Sequence, residues 1–187
     1  MYVGFIRLKS TNPNPGSPMV YLSGGPGGSG SNTLSGRRFQ LFMKLRAVAD
    51  VIAFDQRGTG LSHRLPRCPY RAEYALNKPI SKAEYLTKST ENINKCLQFW
   101  KEENVDLSAY NTTESAKDIE ALRIALGVEK LSLWGISYGS HLAFEYIRLF
   151  ENRIDKLVLA SLEGPDETIK LPQQTQDFLF NIADIAE

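Results

Sequence analysis

Apolar positions along the chain gather into short continuous runs, separated by clusters of Gly, Pro, Ser and Asn or by stretches with helical spacing. Residues 2–9 (YVGFIRLK) alternate weakly and are rich in β-formers, and the turn cluster TNPNPGSP follows them. Residues 19–23 (MVYLS) form a short apolar run that stops at GGPGGSG, the pattern of a buried strand bounded by turn signals. Between Arg37 and Val48 the apolar residues Phe39, Leu41, Phe42, Leu45 and Val48 recur at helical spacing, and ADVIAF (49–54) is a further apolar run ending at Asp55. The segment 64–110 is the least regular; within it residues 81–101 read as a helix with Ser81 as its N-cap. From Thr113 a helical pattern carries Ile119, Leu122, Ile124 and Leu126 and ends at Gly127. KLSLW (130–134) reads as a strand, Gly135 to Gly139 as a turn, His141 to Phe150 as a helix and KLVL (156–159) as a strand. Beyond Gly164-Pro165 come a linker and an amphipathic stretch up to Glu187.

Strands that alternate with helices and are apolar on both faces imply an α/β fold: a mostly parallel sheet with helices on both faces, here of about five strands. The 187 residues and 42% hydrophobic content suffice for one domain with a core. Lys and Arg number 22 against 21 Asp and Glu, so the basic footprint of a nucleic-acid binder is absent. No apolar run approaches the roughly 18 residues of a membrane-spanning helix. The N-terminus lacks the apolar stretch and small-residue cleavage site of a signal peptide. Cys68 and Cys96 form no CxxC pair and bring no other metal ligands, so neither a metal nor a cofactor is expected; their spacing permits one disulfide or two buried thiols equally.

The chemistry concentrates at Gly135-Ile136-Ser137-Tyr138-Gly139, a G-x-S-x-G pattern that follows a strand and opens a helix. A serine on such a sharp turn needs small neighbours, and the turn projects its hydroxyl beside a helix N-terminus. Ser137 is therefore the candidate nucleophile, and the backbone N–H of Tyr138 a candidate donor to an oxyanion. The competing reading is a turn serine that merely caps the helix. The loop Gly24-Gly25-Pro26-Gly27-Gly28-Ser29-Gly30 lets backbone N–H groups approach a ligand. As a phosphate cradle it lacks the G-K-[ST] signature, and Pro26 removes a donor; as the second arm of an oxyanion hole it fits, with Gly25 as the candidate donor.

Three motifs taken in order, GGPGGSG, Asp55-Gln-Arg-Gly-Thr-Gly-Leu-Ser62 and GISYGS, resemble the prolyl iminopeptidase and tripeptidyl aminopeptidase group of α/β-hydrolases. The run from Tyr110 to Arg123 and the stretch Glu163-Gly-Pro-Asp166 resemble the tripeptidyl aminopeptidase branch more closely. The resemblance covers about residues 3–172. It implies a serine peptidase that binds the free amino end of a peptide and releases one or a few N-terminal residues through an acyl-enzyme. It also implies a partial α/β-hydrolase core over residues 1–168 and the start of a helical cap over 169–187. Members often pair the equivalents of Cys68 and Cys96 and are often exported, which favours a disulfide and an extracytoplasmic location. Asp55 and Arg57 are expected to brace the loops rather than to react.

A serine needs a base, and in this fold the chain order is Ser, then Asp or Glu, then His. After Ser137 the one histidine is His141, a turn deeper along the same helix, which suits a packed helix histidine; His63 is expected to cap its loop. The acids Glu163, Asp155 and Asp166 remain. By resemblance, the catalytic Asp and His follow two further strands, and one strand precedes Met1. The chain is thus expected to be truncated at both ends and inactive alone, with an apolar sheet edge that drives self-association or awaits a complementary C-terminal chain. Alternatives on the same scaffold are a carboxylesterase and a non-catalytic interaction protein that retains the turn. Peptide or ester is the expected substrate, with neither nucleic acid nor membrane as a partner.

Overall fold

The structure is a computed structural model that describes residues 1–36, 38–75, 77–166 and 172–186. Its strands are β1 (Phe5–Leu8), β2 (Gly16–Leu22), β3 (Ala49–Phe54), β4 (Leu131–Ile136) and β5 (Ile154–Ala160). Its helices are α1 (Gly30–Leu34), α2 (Phe39–Leu45), α3 (Lys82–Glu102), α4 (Thr112–Ala125), α5 (Tyr138–Phe150) and α6 (Pro172–Ala186). The five strands form one sheet in the order β1-β3-β2-β4-β5. β1 runs antiparallel to β3, and every other pairing is parallel, as the uniformly apolar strands led one to expect.

Alternation along the central strands divides two cores. Val20, Leu22, Ile52, Phe54, Leu131 and Leu133 point to one face and pack against Ala116, Ile119 and Leu122 of α4 and Leu142, Ala143 and Tyr146 of α5. Tyr21, Val51, Ala53 and Trp134 point to the other and meet Leu34 of α1 and Phe42 of α2. Tyr21, Phe42 and Trp134 form a three-ring cluster with centroids 4.6–5.2 Å apart. Each fully buried aliphatic or aromatic side chain contributes about 1.5–3 kcal/mol, so these two layers supply most of the driving force for the sheet.

Two of the helices that the spacing predicts leave some of their apolar residues exposed. In α2 only Phe42 is buried, while Phe39 and Leu41 are exposed, because one short helix turns a single ridge to the sheet. In α4 Ile119 and Leu122 share the buried face, and Ile124, off that face by its position in the 3.6-residue turn, is exposed. The short helix α1, capped by Ser29 through the Asn32 N–H, begins at Gly30, the last residue of the glycine loop. At the far edge, β5 hydrogen-bonds to β4 and carries exposed Leu157 and Val158, with Leu162 exposed just beyond it. Helix α6 occupies the stretch read as the start of a cap and exposes Phe178, Leu179, Phe180, Ile182 and Ile185; the expected boundary at residues 168 and 169 lies outside the described residues. No described helix is long and apolar enough to cross a membrane.

The chain divides into two compact units, residues 1–63 with 112–187, which hold the sheet, and residues 64–111. The second is built on α3, whose N-cap Ser81 accepts the Glu84 N–H as expected. Cys68 and Cys96 are joined in a disulfide, the Trp100 indole donates to the Pro66 carbonyl, and Tyr74 stacks on Tyr85 and hydrogen-bonds Ser89. The extended segment 64–75 is thereby pinned to a helix with little buried apolar surface, since Cys96 is the buried residue of α3. Replacing both cysteines by serine is expected to remove about 3.6 kcal/mol of stability from this unit, the loop-closure value for a 28-residue separation. Hydrogen exchange should register the change as faster exchange along α3 with the amides of β2, β3 and β4 unchanged.

Candidate active site

Parallel strands deliver their C-terminal ends to one edge of the sheet, and the candidate residues gather there because β2, β3, β4 and β5 all end on that side. Ser137 sits between the end of β4 and the start of α5 with φ 56 and ψ −129, a conformation costing a non-glycine residue about 1–3 kcal/mol. Backbone bonds hold it there. The Ser137 N–H donates to the Ala160 carbonyl at the end of β5 (3.0 Å), and the Ser140 N–H and hydroxyl both donate to the Ser137 carbonyl (2.7 Å each). The turn also depends on close approach. A Cβ at Gly139 would fall 2.0 Å from the Leu22 carbonyl oxygen, and one at Gly24 would fall 2.8 Å from the Ile136 carbonyl oxygen and 2.9 Å from Ser137 Cβ.

Although Ser137 stands at the N-cap position of α5, its side chain makes no capping hydrogen bond. The hydroxyl donates instead to Glu163 Oε1 at 2.9 Å. Glu163 lies just past β5 and is buried, and its own backbone N–H donates to Ser140 Oγ at 2.8 Å. A closed loop of contacts results: Glu163 N–H to Ser140 Oγ, Ser140 O–H to the Ser137 carbonyl, and Ser137 O–H to the Glu163 carboxylate. Carboxyl and hydroxyl are thus fixed relative to one another through the backbone of both segments.

Gly25 follows the glycine that touches Ser137, and the Gly28 N–H closes a turn onto the Gly24 carbonyl (2.9 Å). Tyr138 is the first residue of α5, so its N–H belongs to the first-turn donors that have no carbonyl one turn earlier within the helix. Its phenol hydrogen-bonds Thr112 Oγ1 (2.8 Å).

The DQRG loop after β3 is a brace. Asp55 is fully buried and accepts the Ser29 hydroxyl, the Ser31 hydroxyl and N–H, and the Leu61 N–H. Burial alone would raise its carboxyl, but the Ser31 hydroxyl and the remaining donors outweigh that and hold it below the ordinary aspartate range. It therefore ties the glycine-loop end and α1 to the loop that follows β3. Arg57, its side chain nearly buried, forms a two-pronged pair with Asp118 of α4 (2.8 Å at both contacts) and donates to the Glu114 carbonyl (3.0 Å). Neither histidine is hydrogen-bonded to Ser137. His141 Nδ1 lies 3.2 Å from the Gly164 carbonyl and its ring stacks on Tyr138, while His63 packs edge-on to Tyr2 and bonds the Gly58 N–H and the Tyr2 carbonyl through its backbone. Among the described residues no group of His, Cys, Asp and Glu is arranged to hold a metal.

Residues 17–187 match the model of the alpha/beta hydrolase fold family. The chain belongs to that family. It is 28% identical to the serine protease Hip1 of Mycobacterium tuberculosis over 170 residues, 88% of this chain and 32% of that protein. It is 29% identical to a tripeptidyl aminopeptidase of Streptomyces lividans, over 79% of this chain and 28% of that protein. It is 30% identical to a proline iminopeptidase of Xylella fastidiosa, over 81% of this chain and 34% of that protein. The chain thus spans about a third of the length of these relatives. Among solved structures, a marine microorganism esterase shares the fold, with a TM-score of 0.56 at 16% identity over 97% of this chain and 50% of that one.

Sequence reasoning brought Ser137, Gly25 and Tyr138 to one edge but left Glu163 among several leftover acids and did not single out Ser140. A usable signal existed: Glu163 follows the strand next to β4, and residues just past adjacent parallel strands converge. Gly139→Ala is expected to lift α5 from β2 and to lower stability by roughly 1–3 kcal/mol, the range for overpacking a filled site. Chemical denaturation checks it; a variant with an unchanged midpoint would mean that the α5–β2 contact is not tight.

Proposed function

We propose that this chain carries the nucleophile and oxyanion-binding half of a serine hydrolase that releases residues from the amino end of peptides through an acyl-enzyme on Ser137. One observation carries the reading: Ser137 is held in a strained conformation with its hydroxyl turned away from capping the helix it starts. A strained turn adds nothing to stability, so its retention points to reactivity. The names of relatives, a serine protease, a tripeptidyl aminopeptidase and a proline iminopeptidase, support a peptide as substrate over a simple ester.

In this mechanism Ser137 Oγ attacks the scissile carbonyl. The backbone N–H groups of Tyr138 and Gly25 receive the charge that develops on the carbonyl oxygen, a contribution of about 3–4 kcal/mol per donor in comparable sites. The carbon–nitrogen bond breaks, the amine leaves with the proton given up by Ser137 Oγ, and water then adds to the acyl carbon and frees the acid as a proton returns to Oγ. Asp55 and Arg57 act by holding the surrounding loops still. The Cys68–Cys96 disulfide favours an oxidising, extracytoplasmic setting for the protein. The exposed apolar side chains of β5 favour a covering chain, either a second copy or a complementary one. Sedimentation velocity tests that last point, and a strictly monomeric chain at high concentration would count against it.

The activity is tested with alanyl-, prolyl- and tripeptidyl-p-nitroanilides, their N-acetylated forms and p-nitrophenyl butyrate. Cleavage of the free-amine amides, loss of that cleavage on N-acetylation and its absence in Ser137→Ala are the expected results. Turnover of the butyrate ester alone would make the protein a carboxylesterase. No turnover of any substrate, with or without a complementary C-terminal chain, would make it a non-catalytic interaction protein.

A further inference from the structure

A carboxylate beside the nucleophile is an awkward neighbour for acyl transfer, because negative charge develops on the substrate oxygen close by and like charges repel. It helps only where the substrate brings a positive charge to the same place. We infer that Glu163 is the specificity-determining anchor for the α-ammonium group of the residue being released, and that the protein therefore removes one residue at a time rather than a tripeptide. The inference rests on the reading of Ser137 as the nucleophile of a peptidase that acts at free amino ends.

Distances decide which amine is held. Glu163 Oε1 lies 2.9 Å from Ser137 Oγ. In a productive pose Oγ stands about 3–3.5 Å from the scissile carbonyl carbon. The amine of the residue that owns that carbonyl is about 2.5 Å from the same carbon, across one N–Cα and one Cα–C bond. Carboxylate and ammonium are therefore within one hydrogen bond of each other when the N–Cα bond turns towards the end of β5. The free amine of a tripeptide begins two residues further out, about 7 Å more in an extended chain. A carboxylate that touches the serine does not reach it.

The surroundings suit a fixed cation site. Glu163 is buried, 8% exposed, so an ion pair formed there is weakly screened. Its backbone is held on both sides: the Glu163 N–H donates to Ser140 Oγ at 2.8 Å, and the Gly164 carbonyl lies 3.2 Å from His141 Nδ1. A carboxylate has two oxygens and about four lone-pair sites, so it can hold the Ser137 hydroxyl and an ammonium together. An N-acylated residue brings a neutral amide to the same place and leaves the carboxylate facing the developing oxyanion with no compensating charge. Acylated ends and bonds in the interior of a chain are disfavoured for this one reason. The secondary ammonium of an N-terminal proline keeps its charge and two N–H donors, so it is accepted.

The test is the equilibrium binding of boronic acids to the 187-residue chain, followed by boron NMR as trigonal boron becomes tetrahedral. In the adduct the Ser137 Oγ–boron bond forms, the Oγ–H bond breaks and the proton passes to the buffer, with boron standing where the scissile carbon would. Three probes are compared: the boronic-acid analogue of alanine, whose ammonium stands on the carbon next to boron; ethylboronic acid, which lacks it; and the analogue of trialanine, whose ammonium is two residues away. Wild type should bind the alanine analogue about tenfold or more tightly than ethylboronic acid, the size of one charge-assisted hydrogen bond. Glu163→Gln, which keeps the shape and loses the charge, should remove that advantage and leave the other two affinities within about twofold of wild type. A merely structural role for Glu163 would weaken all three alike. Equal weakening of all three, or wild-type affinity that ignores the ammonium, overturns the inference and leaves Ser137 as nucleophile. A loss confined to the trialanine analogue also overturns it, by moving the anchor two residues out. No adduct with any probe overturns it as well, and the substrate panel above then judges Ser137 separately. An adduct that persists in Ser137→Ala removes both.

Discussion

Everything at the candidate site depends on one backbone constraint, the strained turn at Ser137. A residue with φ 56 and ψ −129 relaxes unless its neighbours forbid it. Here they do so on three sides. β4 is paired on both edges, by β2 and β5, so the strand end cannot shift. α5 approaches β2 so closely that Gly139 has no room for a side chain. The Ala160 carbonyl and the Ser140 hydroxyl occupy the Ser137 N–H and carbonyl. The strain is sustained by two packed cores, one on each face of the sheet, each contributing far more than the turn costs.

The same constraint explains why loops distant in sequence meet. Because the central strands are parallel, the glycine loop after β2, the DQRG loop after β3, the serine turn after β4 and the Glu163 segment after β5 all emerge at one edge. Polar groups buried at that edge must be satisfied, and the loops satisfy one another. Asp55 serves the serines at the start of α1 and the Leu61 N–H, and Gln56 donates to the Ser23 carbonyl. Arg57 reaches α4, and Glu163 reaches Ser137. A carboxylate buried without such partners would cost several kcal/mol, so these bonds are conditions for the loops folding as they do.

Family membership and the site geometry bear on different questions. Residues 17–187 fall within the alpha/beta hydrolase fold family, which accounts for the mostly parallel sheet with its helices. Relatives about three times as long bear names of peptidases, and this gives the direction of the functional reading without fixing it for this chain. The contact between Ser137 and Glu163 belongs to this chain's own geometry.

The sequence by itself determined the alternation of strands and helices, the parallel sheet and the glycine-flanked serine, because each rests on local periodicity or on residue types that tolerate few backbone states. Ser81 as the cap of α3 and Gly127 beyond α4 were legible for the same reason. Which apolar residues face the core was less legible: Ile124 and Leu41 fit a helical pattern yet point outward, since burial depends on which neighbour a helix meets. Only the tertiary structure decided that Cys68 joins Cys96, that Arg57 pairs with Asp118 and that, among the described acids after Ser137, Glu163 accepts its hydroxyl. Those choices depend on distances between segments 26 to 61 residues apart, which local composition does not encode and the packing of strands into one sheet does.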